Sequence, residues 1–174
     1  VKGGADWRVL AVVGRGGARP PVAQGLWLTP PKVKGPMNCP SLDGHHGDPS
    51  LHDHLEIRLA RGMFGFSGDG EPSGDGGNSL WVRMPNVQHD RGALAIIADY
   101  QPSALGNALG QFMSCTSIDN TIRYANQADS EWVLCENHMD FVGDGFGYGS
   151  VNMWSQDGVL LATASQTIIV RMPK

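Results

Sequence analysis

From His89 onward the chain offers one short helical pattern and then only strand patterns, and that order is its tightest constraint on fold. Within HDRGALAIIADY (89–100), Leu94, Ile97 and Ala98 recur at helical spacing, and Ala95 and Ile96 widen the apolar face. A helix apolar on most sides must be buried. Asp90 fits an N-cap for a helix beginning at Gly92, and Pro102 is expected to end it by disfavouring the α conformation at the residue before it. Four strand patterns follow, over 114–124, 131–140, 144–155 and 159–170. The last two are joined across Gln156-Asp157-Gly158, a hairpin signal. One buried helix followed by antiparallel strands implies an α+β architecture, with the sheet wrapped around a central helix.

Upstream, 7–13 and 22–28 read as two strands around Gly14, Gly16 and Gly17, giving an N-terminal β-hairpin over residues 1–28. Residues 29–50 are a Pro/Gly-rich linker with no hydrophobic period, and residues 51–174 form the main domain. Within that domain 53–60 and 79–85 are strands, and 65–78 reads as a flexible excursion. The two terminal hairpins resemble each other. Val22-Ala23-Gln24-Gly25-Leu26 matches Ala164-Ser165-Gln166-Thr167-Ile168, which suggests an internal repeat.

Composition narrows the function classes. A formal charge of −4 over 174 residues, with scattered Lys and Arg, gives no basic surface for nucleic acid. No window approaches the roughly 20 apolar residues of a membrane span. The 3 cysteines, Cys39, Cys115 and Cys135, lack zinc-type spacing and read as free thiols of a cytoplasmic protein. His45, His46, His52 and His54 with Asp48 and Asp53 contain a His-x-His that would face one side of a strand, but no further ligand pattern is fixed, so no metal is expected. The Gly-rich run at 65–78 is not followed by Lys-Ser/Thr and is not a phosphate loop. His89 beside Asp90 reads as part of a cap rather than an acid/base pair. Trp81, Trp132 and Trp154 lie in apolar strands and read as core.

Four segments carry a resemblance to a known family. They are Ile97-Ala98-Asp99-Tyr100, Ser117-Ile118-Asp119-Asn120, Glu131-Trp132-Val133-Leu134 and the ending from Gln156 to Gln166. Together they resemble the acyl-CoA thioesterase II (TesB-like) family of double-hotdog proteins, over roughly residues 52–172. The resemblance implies a hotdog fold for the main domain, with residues 1–28 as the last hairpin of a first repeat and Gln24 equivalent to Gln166. It also implies hydrolysis of an acyl-CoA to free acid and CoA, without a cofactor. The family's water-holding acid, hydroxyl and amide fall on Asp99, Ser117 and Gln166, with Ser117 standing where Thr is common. Two departures bear on substrate preference. Tyr124-Ala125-Asn126 replaces a more basic stretch, and Thr167 follows Gln166 where an acidic residue is common.

The residue types suit that chemistry. A carboxylate such as Asp99 can take a proton from water, and the hydroxyl of Ser117 and amide of Gln166 can hold the same water. Asp99 is expected to be partly buried at the helix end, and a backbone N–H at a helix start is the expected oxyanion donor. A different reading is an acyl-CoA-binding module without turnover, or an oligomerising remnant of a double-hotdog protein. Hydratase or dehydratase action would need a stronger acid/base pair than the sequence offers. An exposed sheet edge predicts a homodimer or larger homo-oligomer.

Overall fold

The computed structural model describes residue 12, residue 14, residues 23–42 and residues 51–171. Nine strands and two α-helices occur among the described residues. In chain order they are β1 (Glu56–Arg61), β2 (Met63–Phe64), β3 (Asp69–Gly70), β4 (Gly77–Arg83), α1 (Arg91–Ala98), α2 (Ala104–Leu109), β5 (Ser114–Ser117), β6 (Thr121–Tyr124), β7 (Val133–Gly143), β8 (Phe146–Ser155) and β9 (Leu160–Arg171). Seven of the strands form one antiparallel sheet in the order β1-β4-β7-β8-β9, with β5 and β6 both pairing the far side of β9. The sheet curls around the helices, which is the hotdog fold.

Alternation along each strand sends one set of side chains to the helix. Ile57 and Leu59 from β1, Leu80 and Val82 from β4, Val133 and Cys135 from β7, Val151 and Met153 from β8, and Ala162 and Ala164 from β9 close around Leu94, Ile97, Ala98 and Tyr100, joined by Leu161 at a register shift between β8 and β9. Small alanines on β9 leave room for the helix against the sheet. Asp90 caps α1 as expected, accepting from the N–H groups of Gly92 at 2.8 Å and Ala93 at 3.0 Å.

Pro102 does not end the helical path. α1 stops at Ala98, and Pro102 lies in a 3-10 turn, Gln101–Ser103, that leads into α2. A proline near a helix start needs no N–H partner there, so it restarts the helix after a break. The expected 114–124 strand is also divided, into β5 and β6. The Asp157-Gly158 hairpin forms between β8 and β9, with Gly158 at φ +79° donating to the Ser155 carbonyl at 3.0 Å.

The 65–78 segment is not a loose excursion. Gly65 donates to the Ser103 carbonyl at 3.0 Å, and its backbone lies so close to α2 that an added Cβ would meet that oxygen at 2.3 Å. Asn107 of α2 ties the segment down, accepting from the N–H groups of Met63 at 2.9 Å and Ser73 at 3.0 Å. The linker is likewise seated over its described part. Pro36 and Cys39 are buried, the Trp81 indole donates to the Lys34 carbonyl at 2.8 Å, and Cys39 packs with Trp81, Trp132, Leu134, Trp154 and Leu160. The three tryptophans are therefore core, but the core of the sheet's outer face, with the linker as its lid.

Residues 23–28, the described part of the expected strand at 22–28, form no strand and are exposed. An extended segment becomes a strand only by pairing, and no described residue pairs with it. Gln24 is exposed there, unlike Gln166. The rest of the expected hairpin, apart from Val12 and Gly14, lies outside the described residues.

Candidate active site

The elements bring Asp99, Ser117 and Gln166 together. Asp99 is the C-cap of α1, held where the helix breaks, and its N–H donates to the Ile96 carbonyl at 3.2 Å. Ser117 ends β5, paired with Ile168, and Gln166 lies on β9 facing the helix. The Gln166 amide nitrogen donates to Asp99 Oδ1 at 2.9 Å, and the Ser117 hydroxyl donates to Gln166 Oε1 at 3.2 Å. Gln166 thus spans the other two.

The three differ in exposure. Gln166 is buried at 2% of its surface, whereas Asp99 and Ser117 are exposed, so the expected partial burial of Asp99 does not hold. The break after Ala98 turns Asp99 outward while Ala98 and Tyr100 on either side stay in the core. The arrangement is an acid and a hydroxyl open to water, joined from below by an amide whose orientation is fixed at both ends. Asp99 accepts from the amide with Oδ1, leaving Oδ2 for another donor. Ser117 spends its proton on Gln166, leaving its lone pairs to accept.

Asp99 also acts on its neighbours. Burial first, and then the Asp99 charge, push the Tyr100 phenol well above its ordinary range and raise the Cys115 thiol. The Tyr100 hydroxyl lies 2.8 Å from His52 Nδ1. Residues 51–54 form a 3-10 turn, not a strand, so His52 and His54 lack the common face a His-x-His strand would give them. No group of three or more His, Cys, Asp or Glu side chains is arranged to hold a metal among the described residues. His45, His46 and Asp48 lie outside them.

At the start of α1 the Gly92 and Ala93 amides, two donors of the expected oxyanion-binding kind, are engaged by Asp90. Beside that end of α1, a cavity of about 1190 Å³ opens between residues 84–91 and 124–131, with Leu94 and Leu161 at its base. None of Asp99, Ser117 or Gln166 lines it. His89 closes one wall, with Nε2 accepting from the Met84 N–H at 3.1 Å and Nδ1 donating to the Ser130 carbonyl at 2.9 Å.

With this geometry in place, comparison with known proteins fixes the family. The acyl-CoA thioesterase C-terminal domain family matches residues 36–170. The chain belongs to that family. No curated protein matches it. Among solved structures it is similar to a candidate thioesterase from Novosphingobium aromaticivorans, with 31% identity and a TM-score of 0.70 over 89% of this chain and 59% of that one. It also shares its fold with a hot dog protein of unknown function from Alicyclobacillus acidocaldarius, with 19% identity and a TM-score of 0.67 over 90% of this chain and 60% of that one. A third is the acyl-CoA thioesterase II TesB2 from Mycobacterium marinum, with 14% identity and a TM-score of 0.57 over 90% of this chain and 60% of that one. The chain therefore spans about three-fifths of the length of these three. No described helix is long and apolar enough to cross a membrane.

Proposed function

We propose that this protein hydrolyses an acyl-CoA thioester, as a TesB-like thioesterase, using a water held by Asp99, Ser117 and Gln166. The observation that carries this reading is the Gln166 amide bridging two exposed side chains, Asp99 and Ser117, with Asp99 Oδ2 and the Ser117 oxygen lone pairs not used in that bridge. A water donating one proton to Asp99 Oδ2 and the other to Ser117 Oγ presents its oxygen lone pair outward, ready for a carbonyl carbon.

In the step itself the water oxygen bonds to the thioester carbon as Asp99 takes one of its protons. The carbon–sulfur bond then breaks, and that proton passes to the departing CoA sulfur, giving free acid and free thiol. Asp99 returns to its carboxylate form. The cavity at the start of α1 is the supported place for part of the substrate. It lies along the same helix as Asp99, about 12 Å away at 1.5 Å per residue. It combines an apolar base, Leu94 and Leu161, with a polar rim that includes Arg91.

The site's openness supports assembly. β5 and β6 pair with β9 on one side only, and Ser117 is exposed at that edge. A second copy covering the edge would exclude water and finish the pocket, and light scattering at micromolar concentration is expected to give a dimer or larger. A strictly monomeric mass with full activity would remove that part of the reading.

The same openness favours one alternative, binding of acyl-CoA without turnover. A panel of acyl-CoA substrates, followed by thiol release, separates the two when paired with calorimetric titration. Thiol release supports hydrolysis, whereas heat of binding without any thiol supports the binding module.

A further inference from the structure

β9 is paired on its open side by two strands that do not share one register. β5 ends with Ser117 opposite Ile168, and β6 begins with Thr121 opposite Ser165. Three residues, 118–120, therefore oppose two, 166–167, which makes a β-bulge at 118–120, opposite Gln166. Two hydrogen bonds close it. The Ile118 N–H donates to the Thr167 carbonyl at 2.8 Å, and the Thr167 N–H donates to Asp119 Oδ1 at 2.9 Å. The side chain of Asp119 stands where the ladder would otherwise offer a main-chain carbonyl.

That bond has a particular target. The Thr167 N–H belongs to the same rigid peptide unit as the Gln166 carbonyl, so fixing it fixes the backbone turn that aims the Gln166 side chain. At its other end the same three-residue bulge directly follows Ser117. The Asp119 carboxylate and the Ile118 N–H thereby tie the bulge to Thr167, beside the Ser117–Gln166 hydrogen bond, and Asp119 makes no hydrogen bond to Asp99. Resting on the proposed hydrolysis, we infer that Asp119 is a positioning residue, a carboxylate that replaces a strand carbonyl to hold the Gln166 amide in line between Asp99 and Ser117.

Asp119 is exposed, so its replacement leaves no buried group unpaired and the full chain is expected to fold. Asp119→Ala is expected to lower kcat about tenfold to a hundredfold with KM within about twofold, because misalignment of a reacting geometry acts on the chemical step. Asp119→Asn keeps an Oδ1 acceptor at the same reach and is expected to restore kcat to within about threefold of the parent. If the alanine variant does not fold, Asp119→Ser takes its place, since it keeps the loop polar but falls short of Thr167. The second readout does not depend on turnover. The side-chain amide resonances of Gln166 in a nitrogen-15 spectrum are expected to move in Asp119→Ala and return in Asp119→Asn. Unmoved Gln166 resonances in Asp119→Ala, or equal loss of kcat in the alanine and asparagine variants, would overturn the inference. A parent protein with no thiol release would instead refute the hydrolysis, and the Gln166 resonances would still decide the role of Asp119.

Discussion

Replacing Gln166 by methionine separates the site's contribution to stability from its proposed contribution to turnover. Gln166 is buried, but both of its partners are exposed. When the amide is removed, Asp99 and Ser117 regain hydrogen bonds from water, so neither becomes a buried orphan. The cost then stops at the net value of two hydrogen bonds, about 2 kcal/mol together for partners that face solvent. Methionine has a similar volume and needs no partner, and burying a thioether in place of an amide offsets part of that cost. A net change within about 2 kcal/mol corresponds to less than about 8 °C in Tm for a domain of this size. Turnover should behave differently. Without the bridge the carboxylate and the hydroxyl choose their own rotamers, and loss of that alignment is expected to lower kcat about a hundredfold. Circular dichroism melting and thiol release on the same preparation read both quantities. Unchanged kcat would refute the bridge as a device for chemistry. A fall of more than about 15 °C in Tm, with activity lost only in proportion to unfolded protein, would show Gln166 to be structural.

Other consequences follow from the fold. Asp90→Ala removes the two bonds that cap α1 and is expected to cost about 1 kcal/mol in chemical denaturation, with the α1 amides losing hydrogen-exchange protection first. Trp154→Ala opens a void beneath the seated linker, where Trp154 has no exposed surface, and is expected to cost about 3–5 kcal/mol of unfolding free energy in urea denaturation. Burial, against a smaller opposing effect of the Ser130 carbonyl, holds His89 below its ordinary value. As pH falls the unfolded chain therefore takes up that proton before the folded one. Its contribution is complete above about pH 6.5 and is lost as pH drops below it. Tm measured between about pH 7.5 and pH 5 should decline, and His89→Gln should flatten the decline.

The helix start, the closing hairpin and the buried α1 face were legible because each rests on local chemistry. Asp90 can cap only the turn that follows it, and Asp157-Gly158 can make only a tight turn between two strand runs. The same logic could have found the β7–β8 turn, where Asp144 and Gly145 take φ of 51° and 79°. That Asp-Gly pair lies among glycines on both sides, which blurred the end of one strand into the start of the next. α2 was missed because Pro102 reads as a stop, and its role as the second residue of a new turn depends on packing against Gly65 and β4. The seated linker was missed for a related reason. Residues 33–39 have no hydrophobic period, and Cys39 is buried only because three tryptophans on the sheet's outer face meet it.

For the site, residue types alone offered an acid, a hydroxyl and an amide scattered over 68 positions from Asp99 to Gln166, and the family resemblance selected them. The structure adds what no local pattern carries. Gln166 is the buried member, Asp99 is exposed at a helix break, and a bulge rather than a continuous strand holds Ser117 beside them. Asp119 belonged to one of the motifs that carried the resemblance, but its hydrogen bond to Thr167 crosses 48 positions of sequence and is visible only in the folded sheet.

The most direct test of the whole account is Asp99→Asn. The substitution keeps the size of the side chain and an acceptor for the Gln166 amide, and removes the carboxylate proposed to take the proton from water. Thiol release from the acyl-CoA turned over fastest by the parent protein is the quantity to measure, alongside circular dichroism and acyl-CoA binding by calorimetry. The expected result is a loss of at least about a hundredfold in kcat, with the fold and the affinity retained. Equal turnover in Asp99→Asn would contradict it.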